Sequence, residues 1–243
     1  MRQAWLPVAG AAFLADPSGA LVWPDHGVVV VADLHLEKGS ALARRGTLLP
    51  PYDTRTTLAR LEAVLARWTP RQVISLGDGF HDDRASARLC AEDRARLQRL
   101  VAGRDWLWLA GNHDPAPPQG LGGRVAAEVL IAGITFRHRP AALPGGGEVA
   151  GHLHPSASLT ARGRRLSRRC FVADERRLLL PAFGSYTGGL DVLDPTIATL
   201  FARGFHATLL GDRRVHPLPH HRLERHAATD ERRRRPGGHW GRC

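Results

Sequence analysis

Residues 28–40 read VVVVADLHLEKGS, and this stretch decides how the rest of the chain is read. Four valines in succession form a strand buried on both faces, the kind that fills the middle of a parallel sheet. That strand runs directly into Asp33 and His35, two groups that are costly to bury. At i and i+2 on an extended chain they point to one side, where they could share a metal ion. Asp-x-His alone is common on ordinary surfaces, so the remainder of the sequence must decide.

Two further strands end the same way. Arg71 to Leu76 leads into GDGFHD (77–82), and DWLWLA (105–110) leads into GNHD (111–114). Helices are expected over Ser40–Arg45, over Tyr52–Trp68 with Leu58, Leu61, Val64 and Leu65 at helical spacing, and from about Asp83 to Val101. Strands alternating with helices predict an α/β sheet, whose sites form beyond the carboxyl ends of its strands. The second half changes character. Short strands with glycine-rich turns are expected at Val125–Ile131, Gly133–His138, Glu148–Gly151, Cys170–Ala173, Leu178–Phe183 and Phe205–Leu218. Two packed sheets with helices outside follow from this order.

The N-terminal stretch MRQAWLPVAGAAFLAD faintly resembles a signal peptide, but Pro7 and Gly10 interrupt its apolar part. A hairpin, AAFLADPSGALVWP, turned at Asp16-Pro17-Ser18-Gly19, fits it better. No apolar run approaches the roughly 20 residues of a membrane span, and no membrane partner is expected. Cys90, Cys170 and Cys243 are odd in number and widely spaced, which suggests neither a disulfide framework nor a zinc knuckle and makes a reducing cytoplasm the default. The 243 residues carry a net charge of +11, nearly all of it arginine. Residues 212–243 hold nine arginines against four acids. A folded domain over 1–218 and a basic, disordered tail over 219–243 are expected. A surplus of this size predisposes a protein towards polyanions, nucleic acid being the commonest.

The polar clusters in order are DLH (33–35), GDGFHD, GNHD, RHRP (137–140) and GHLHP (151–155). Each alone is an ordinary turn, cap or satisfied histidine. As an ordered set they offer carboxylate, imidazole and amide donors, which suit Mn²⁺, Fe²⁺ or Zn²⁺ rather than a thiolate site. Two ions about 3.5–4 Å apart need a bridging carboxylate, and Asp78, a lone acid at a strand tip between the two donor groups, is the candidate.

This set resembles the calcineurin-like metallophosphoesterases over about Val28 to Pro155. The finer spelling, DLHLEKGS with GDxFHD and GHxHP, is similar to the ligase-associated DNA damage response endonucleases of the PdeM type. The resemblance implies a four-layer α/β (α+β) sandwich of two mixed sheets flanked by helices, with two divalent ions, Mn²⁺ foremost. It assigns Asp33, His35, Asp78 and His154 to one metal, and Asp78, Asn112, His138 and His152 to the other. His113 becomes the general acid, steadied by Asp114. His81, Arg137 and Arg139 are candidate substrate contacts, a structural role for His81 being equally open. A water bridging the ions would be hydroxide near neutral pH and attack phosphorus in line, with His113 protonating the leaving oxygen. The implied substrate is DNA, in repair, in company with an ATP-dependent ligase, a DEXH helicase and a β-lactamase-type exonuclease. A phosphoesterase of small nucleotides or lipid-nucleotide pyrophosphates, or a non-catalytic DNA-binding subunit, are the alternatives. A protein phosphatase is disfavoured, because that class carries GNHE where this chain has GNHD.

Overall fold

The computed structural model describes residues 4–115 and 120–225. The first sheet has seven strands in chain order: β1 (Ala4–Val8), β2 (Ala11–Ala15), β3 (Leu21–Trp23), β4 (Val28–Val31), β5 (Gln72–Ser75), β6 (Asp105–Leu109) and β7 (Arg124–Ala126). Strands β1–β4 pair antiparallel and β4–β7 pair parallel, so the sheet is mixed. The expected hairpin is present: Ser18 N–H donates to Asp16 Oδ1 and Asp16 N–H to the Ala20 carbonyl.

The second sheet has nine strands: β8 (Glu128–Ile131), β9 (Ile134–Arg137), β10 (Gly147–Ala150), β11 (Pro155–Ala161), β12 (Arg164–Ala173), β13 (Arg177–Leu179), β14 (Leu190–Asp191), β15 (His206–Leu210) and β16 (Val215–Pro219). The stretch expected as one strand at Val125–Ile131 is therefore two, β7 and β8, one in each sheet. It is where the chain passes between them.

The valine run explains the layering. Val28 and Val30 pack inward against Phe136, Val149, Phe171 and Leu178 of the second sheet. Four helices follow β4 and β5, α1 (Lys38–Arg44), α2 (Asp53–Trp68), α3 (Ala85–Arg88) and α4 (Ala91–Ala102), and Val29 and Val31 face outward onto α2 and α4 through Leu58, Leu61, Leu65 and Leu97. Both faces of β4 are thus buried, as four consecutive β-branched residues require. The outer face of the second sheet is covered differently: Ile197 of the one-turn helix Pro195–Ala198, with Phe201 and Phe205, packs on Val172 and Leu179. Helices flank the sheets sparsely on that side.

Two expectations need correcting. The long helix over 83–101 is broken: Leu89 leaves helical geometry at φ −53°, ψ 127°, and Cys90 caps α4 through its Sγ, which accepts the Asp93 amide. Residues 219–225, expected in the tail, are part of the described fold. Glu224 pairs with Ser158 and its carboxylate accepts from Thr160, so residues 219–225 continue the fold. Residues 226–243 lie outside the described residues. Cys90 and Cys170 are free thiols.

Buried charge also fixes register. Glu148 and Arg177 sit opposite each other on β10 and β13, each about 1% exposed, with Arg177 Nε 2.6 Å from Glu148 Oε2. Glu148 Oε1 takes the Ala141 amide and lies 3.6 Å from Arg137 Nε. A pair this buried is costly to break from one side.

The segment after β13 props the DLH turn from below. Phe183 N–H donates to the Ala32 carbonyl (2.8 Å) and Gly184 N–H to the Asp33 carbonyl (3.1 Å). A Cβ at Gly184 would sit 2.3 Å from the Leu34 carbonyl oxygen. Gly184→Ala is therefore expected to destabilise the protein by about 1–3 kcal/mol, read by urea unfolding. Unchanged stability would show that the turn yields freely.

Candidate metal centre

The strands β4, β5, β6 and β10 all end at one place, and irregular turns carry the polar residues from there. Asp33, His35, Asp78, His152 and His154 have φ of 54°, 43°, 46°, 70° and 47°, so they make up half of the ten non-glycine residues with positive φ among the described residues. Left-handed geometry costs such residues of order 1 kcal/mol or more and collects at functional sites. Neither DLH nor GHLH is extended, so the i, i+2 argument from strand geometry does not hold. The residues converge because alternate positions are left-handed.

The turns support one another. His35 N–H donates to the Asp78 carbonyl (2.9 Å) and Leu36 N–H to Gly79 (3.0 Å), extending the β4–β5 pairing beyond the strands. Gly77 lies under the His138 ring, where a Cβ would be 2.6 Å from Nδ1. No other residue type leaves His138 room at that spot.

The expected ligands form two groups. Asp33, His35 and His154 are one, Asp78, His138 and His152 the other. His35 Nε2 is 3.3 Å from His154 Nε2, which is 3.4 Å from Asp33 Oδ1. In the second group His138 Nε2 is 2.9 Å from Asn112 Oδ1 and 3.1 Å from His152 Nδ1. Asp78 stands between them: Oδ1 accepts the His113 amide, while Oδ2 lies 3.9 Å from His35 Nε2 and 3.5 Å from His138 Nε2. One oxygen therefore faces both groups.

These residues fit cations and little else. Asp33 Oδ1 is buried with no hydrogen-bond partner, although Oδ2 takes the His152 amide. His138 Nδ1 donates to the Leu76 carbonyl (2.8 Å), which orients its Nε2 towards the oxygens of Asn112 and Asp78. His35 cannot supply compensating charge: burial, with His154, Lys38, His113 and His81 nearby, pushes its pKa down to about 2. Burial and His138 also lower that of His152. Lone pairs facing carboxylates in a dry setting repel unless a cation lies between them.

The remaining predicted residues separate. His113 is exposed, and its Nδ1 donates to the His81 carbonyl (2.9 Å), which leaves Nε2 facing outward. His81 stacks on His113, with ring centroids 5.2 Å apart, and its Nδ1 is 3.4 Å from His35 Nδ1. It positions both neighbours. Asp114 does not steady His113; its Oδ2 accepts the Phe80 amide and so holds the Asp78 turn. Burial, reinforced by Asp78, pushes the Asp114 carboxyl up to about 7. Arg137 is not turned to the site: it pairs with Glu128 (3.0 Å) and Glu148. Arg139 is exposed and close enough to His152 to depress it.

Sequence reasoning missed Lys38 and Arg45. Lys38 bears electrostatically on His35 and His81, and Arg45 on His81. Lys38 is the only lysine of the chain and lies inside DLHLEKGS, which is the signal that could have found it.

No family model and no curated protein matches the chain. A solved structure does: the crystal structure of the Pseudomonas putida nuclease MPE is 30% identical, aligns with a TM-score of 0.70, and the match covers 89% of this chain and 100% of that one. The chain belongs to the calcineurin-like metallophosphoesterases. It is accordingly a metal-dependent phosphoesterase. The Escherichia coli phosphoesterase Yfce aligns over 79% of this chain and 98% of its own at 14% identity and a TM-score of 0.42, too distant to bear on function. No described helix of this metallophosphoesterase is long and apolar enough to cross a membrane.

Asp78→Asn removes the carboxylate charge that faces both groups while preserving shape. The variant is expected to hold fewer than two metals per chain and to lose hydrolysis, as read by elemental analysis beside an activity assay. Two retained metals with full turnover would remove Asp78 from the bridging role.

Proposed function

We propose that the protein is a dinuclear-metal phosphodiesterase that cleaves DNA endonucleolytically. The observation that carries this reading is Asp78 Oδ2, which faces His35 on one side and His138 on the other. A complete donor set of this kind also speaks against a subunit that only binds DNA. The likeness to a nuclease over nearly the whole chain supports the substrate class, and so does the net charge of +11.

The mixed oxygen and imidazole donors favour Mn²⁺, with Fe²⁺ and Zn²⁺ next. Bound divalent ions supply a nucleophile at neutral pH and offset charge on the phosphoryl oxygens. The protein's own residues do the rest. Lys38 and Arg45 flank the His35 side and Arg139 the His152 side, so an incoming phosphodiester meets cations on both flanks. His113, held through Nδ1 by the His81 carbonyl, directs Nε2 at the leaving oxygen and delivers its proton there. Stacking of His81 on His113 fixes the ring without engaging Nε2.

A role in DNA repair beside an ATP-dependent ligase, a DEXH helicase and a β-lactamase-type exonuclease rests on the motif spelling alone. A cytoplasmic setting rests on cysteine usage. The direct test compares DNA, bis-p-nitrophenyl phosphate and p-nitrophenyl phosphate under Mn²⁺, Fe²⁺ and Zn²⁺. Cleavage of DNA and of the diester is the expected result. Exclusive monoester hydrolysis would transfer the protein to the small-nucleotide phosphoesterases.

His113→Ala is expected to keep its metals and lose about 10²–10⁴-fold in turnover of DNA. The loss shrinks for p-nitrophenol, a leaving group that needs little protonation. An equal loss for DNA and for p-nitrophenyl esters would show that His113 is not the proton donor.

A further inference from the structure

Away from the metal centre, a cleft of about 420 Å³ opens between the Asp16–Ser18 turn, helix α2, strand β12 and the β15–β16 turn. Five arginines line it: Arg60, Arg67, Arg168, Arg169 and Arg213. Two aspartates oppose them, and one is already engaged. Asp16 Oδ2 accepts from Arg67 and from the Trp68 indole, and Oδ1 accepts the Ser18 amide. Among the described residues, Arg60, Arg168, Arg169 and Arg213 have no carboxylate within ion-pair distance.

The innermost pair is the informative one. Arg60 and Arg169 are both partly buried and both point at the 182–185 segment. Arg60 donates to the Phe183 carbonyl and lies over the Phe183 ring, 4.7 Å from its centroid. Arg169 donates to the carbonyls of Ala182 (2.7 Å) and Gly184 (3.1 Å). Arg60 Nε is buried with no hydrogen-bond partner. Burial and the neighbouring Arg169 push Arg60 down to about 10. Two like charges brought together without a counter-ion are unfavourable, and an oxyanion taking the spare donors of both would relieve them.

We propose that this cleft binds phosphate groups of a nucleic-acid backbone, as a second contact outside the metal centre. Guanidinium forks match phosphate oxygens two at a time, and the arginines do not stop at the cleft. Arg162, Arg164 and Arg165 continue outward from Arg168 along the β11–β12 hairpin, all exposed. Alternate residues of a strand share a face, so Arg164 lies on the face of Arg168 and Arg165 on that of Arg169, and a polyanion longer than one phosphate could follow them. A free phosphate would fill the cleft and leave that exposed row without a ligand. The proposal rests on the nuclease reading and adds where the substrate's remote phosphates lie.

The test uses full-length, metal-loaded protein in a His113→Ala background, so that DNA is bound and not consumed. Arg60 and Arg169 hold backbone carbonyls, so replacing them would confound folding. Arg168→Gln with Arg213→Gln is the informative pair, and Arg99→Gln with Arg203→Gln removes the same charge from exposed positions elsewhere. Duplex affinity is measured over a salt series, with melting temperature and metal content as folding controls. The cleft variant is expected to bind several-fold more weakly, with a salt slope shallower by roughly 0.9 for each phosphate that is no longer neutralised. The matched variant keeps both closer to the parent. Equal behaviour of the two variants, or parental affinity in the cleft variant, overturns the proposal. Thermal stabilisation by inorganic phosphate that disappears in the cleft variant, with DNA affinity intact, would assign the cleft to free phosphate and overturn the backbone assignment. Failure of the nuclease reading shows separately, as DNA left uncut by the unmutated protein, while the affinity comparison still decides the cleft.

Discussion

Asp33 and Asp78 are carboxylates buried among imidazoles, and the rest of the structure is arranged around that awkwardness. Asp33 Oδ1 has no hydrogen-bond partner, and Asp78 Oδ2 looks at two ring nitrogens beyond hydrogen-bond distance. Burial drives His35 to its neutral form, so the nearest base offers no positive charge. Such a cluster is stable only if something outside the polypeptide brings charge to it. Divalent cations do so, and the left-handed turns that hold the ligands draw their cost from the same source.

Stacking two sheets is what allows so many turns to meet. β4, β5 and β6 bring Asp33, Asp78 and Asn112 to one edge of the first sheet, and β9 and β10 bring His138, His152 and His154 from the second. The apolar layer between the sheets, from Val28 and Val30 to Phe136 and Val149, fixes their separation. The buried Glu148–Arg177 pair sets the β10–β13 register that delivers the two histidines after Ala150. Beneath, Phe183 and Gly184 prop the DLH turn, and the same segment receives Arg60 and Arg169. The metal centre and the arginine cleft thus share one strip of backbone.

Much of this was legible in the sequence because the signals were local. Four valines told of a strand buried twice over, and the ordered polar clusters told of a metal site. Side chains from both implied ligand sets lie close together in space, and His35, His81 and His113 form a third group beside them. What escaped was non-local. Arg137 looked like a site residue because it adjoins His138, and only the folded chain shows Glu128 and Glu148 beside it. The polar run SASLTARGRRLSRR hid the long β11–β12 hairpin, since its outer half is exposed and lacks apolar alternation. Arg45 carries no motif of its own, and Lys38, though inside DLHLEKGS, owes its place beside His35 and His81 to the folded chain. The strand geometry expected for DLH also fails, because positive φ at Asp33 and His35, as at His152 and His154, is a tertiary demand that no residue propensity announces.

The central claim is that cations compensate these carboxylates, with Asp78 common to both. Anomalous diffraction from crystals grown with Mn²⁺ tests it most directly. Two peaks are expected, one beside Asp33, His35 and His154 and the other beside Asn112, His138 and His152, with Asp78 adjoining both. A single peak that leaves either group empty, or peaks at some other part of the molecule, would contradict it.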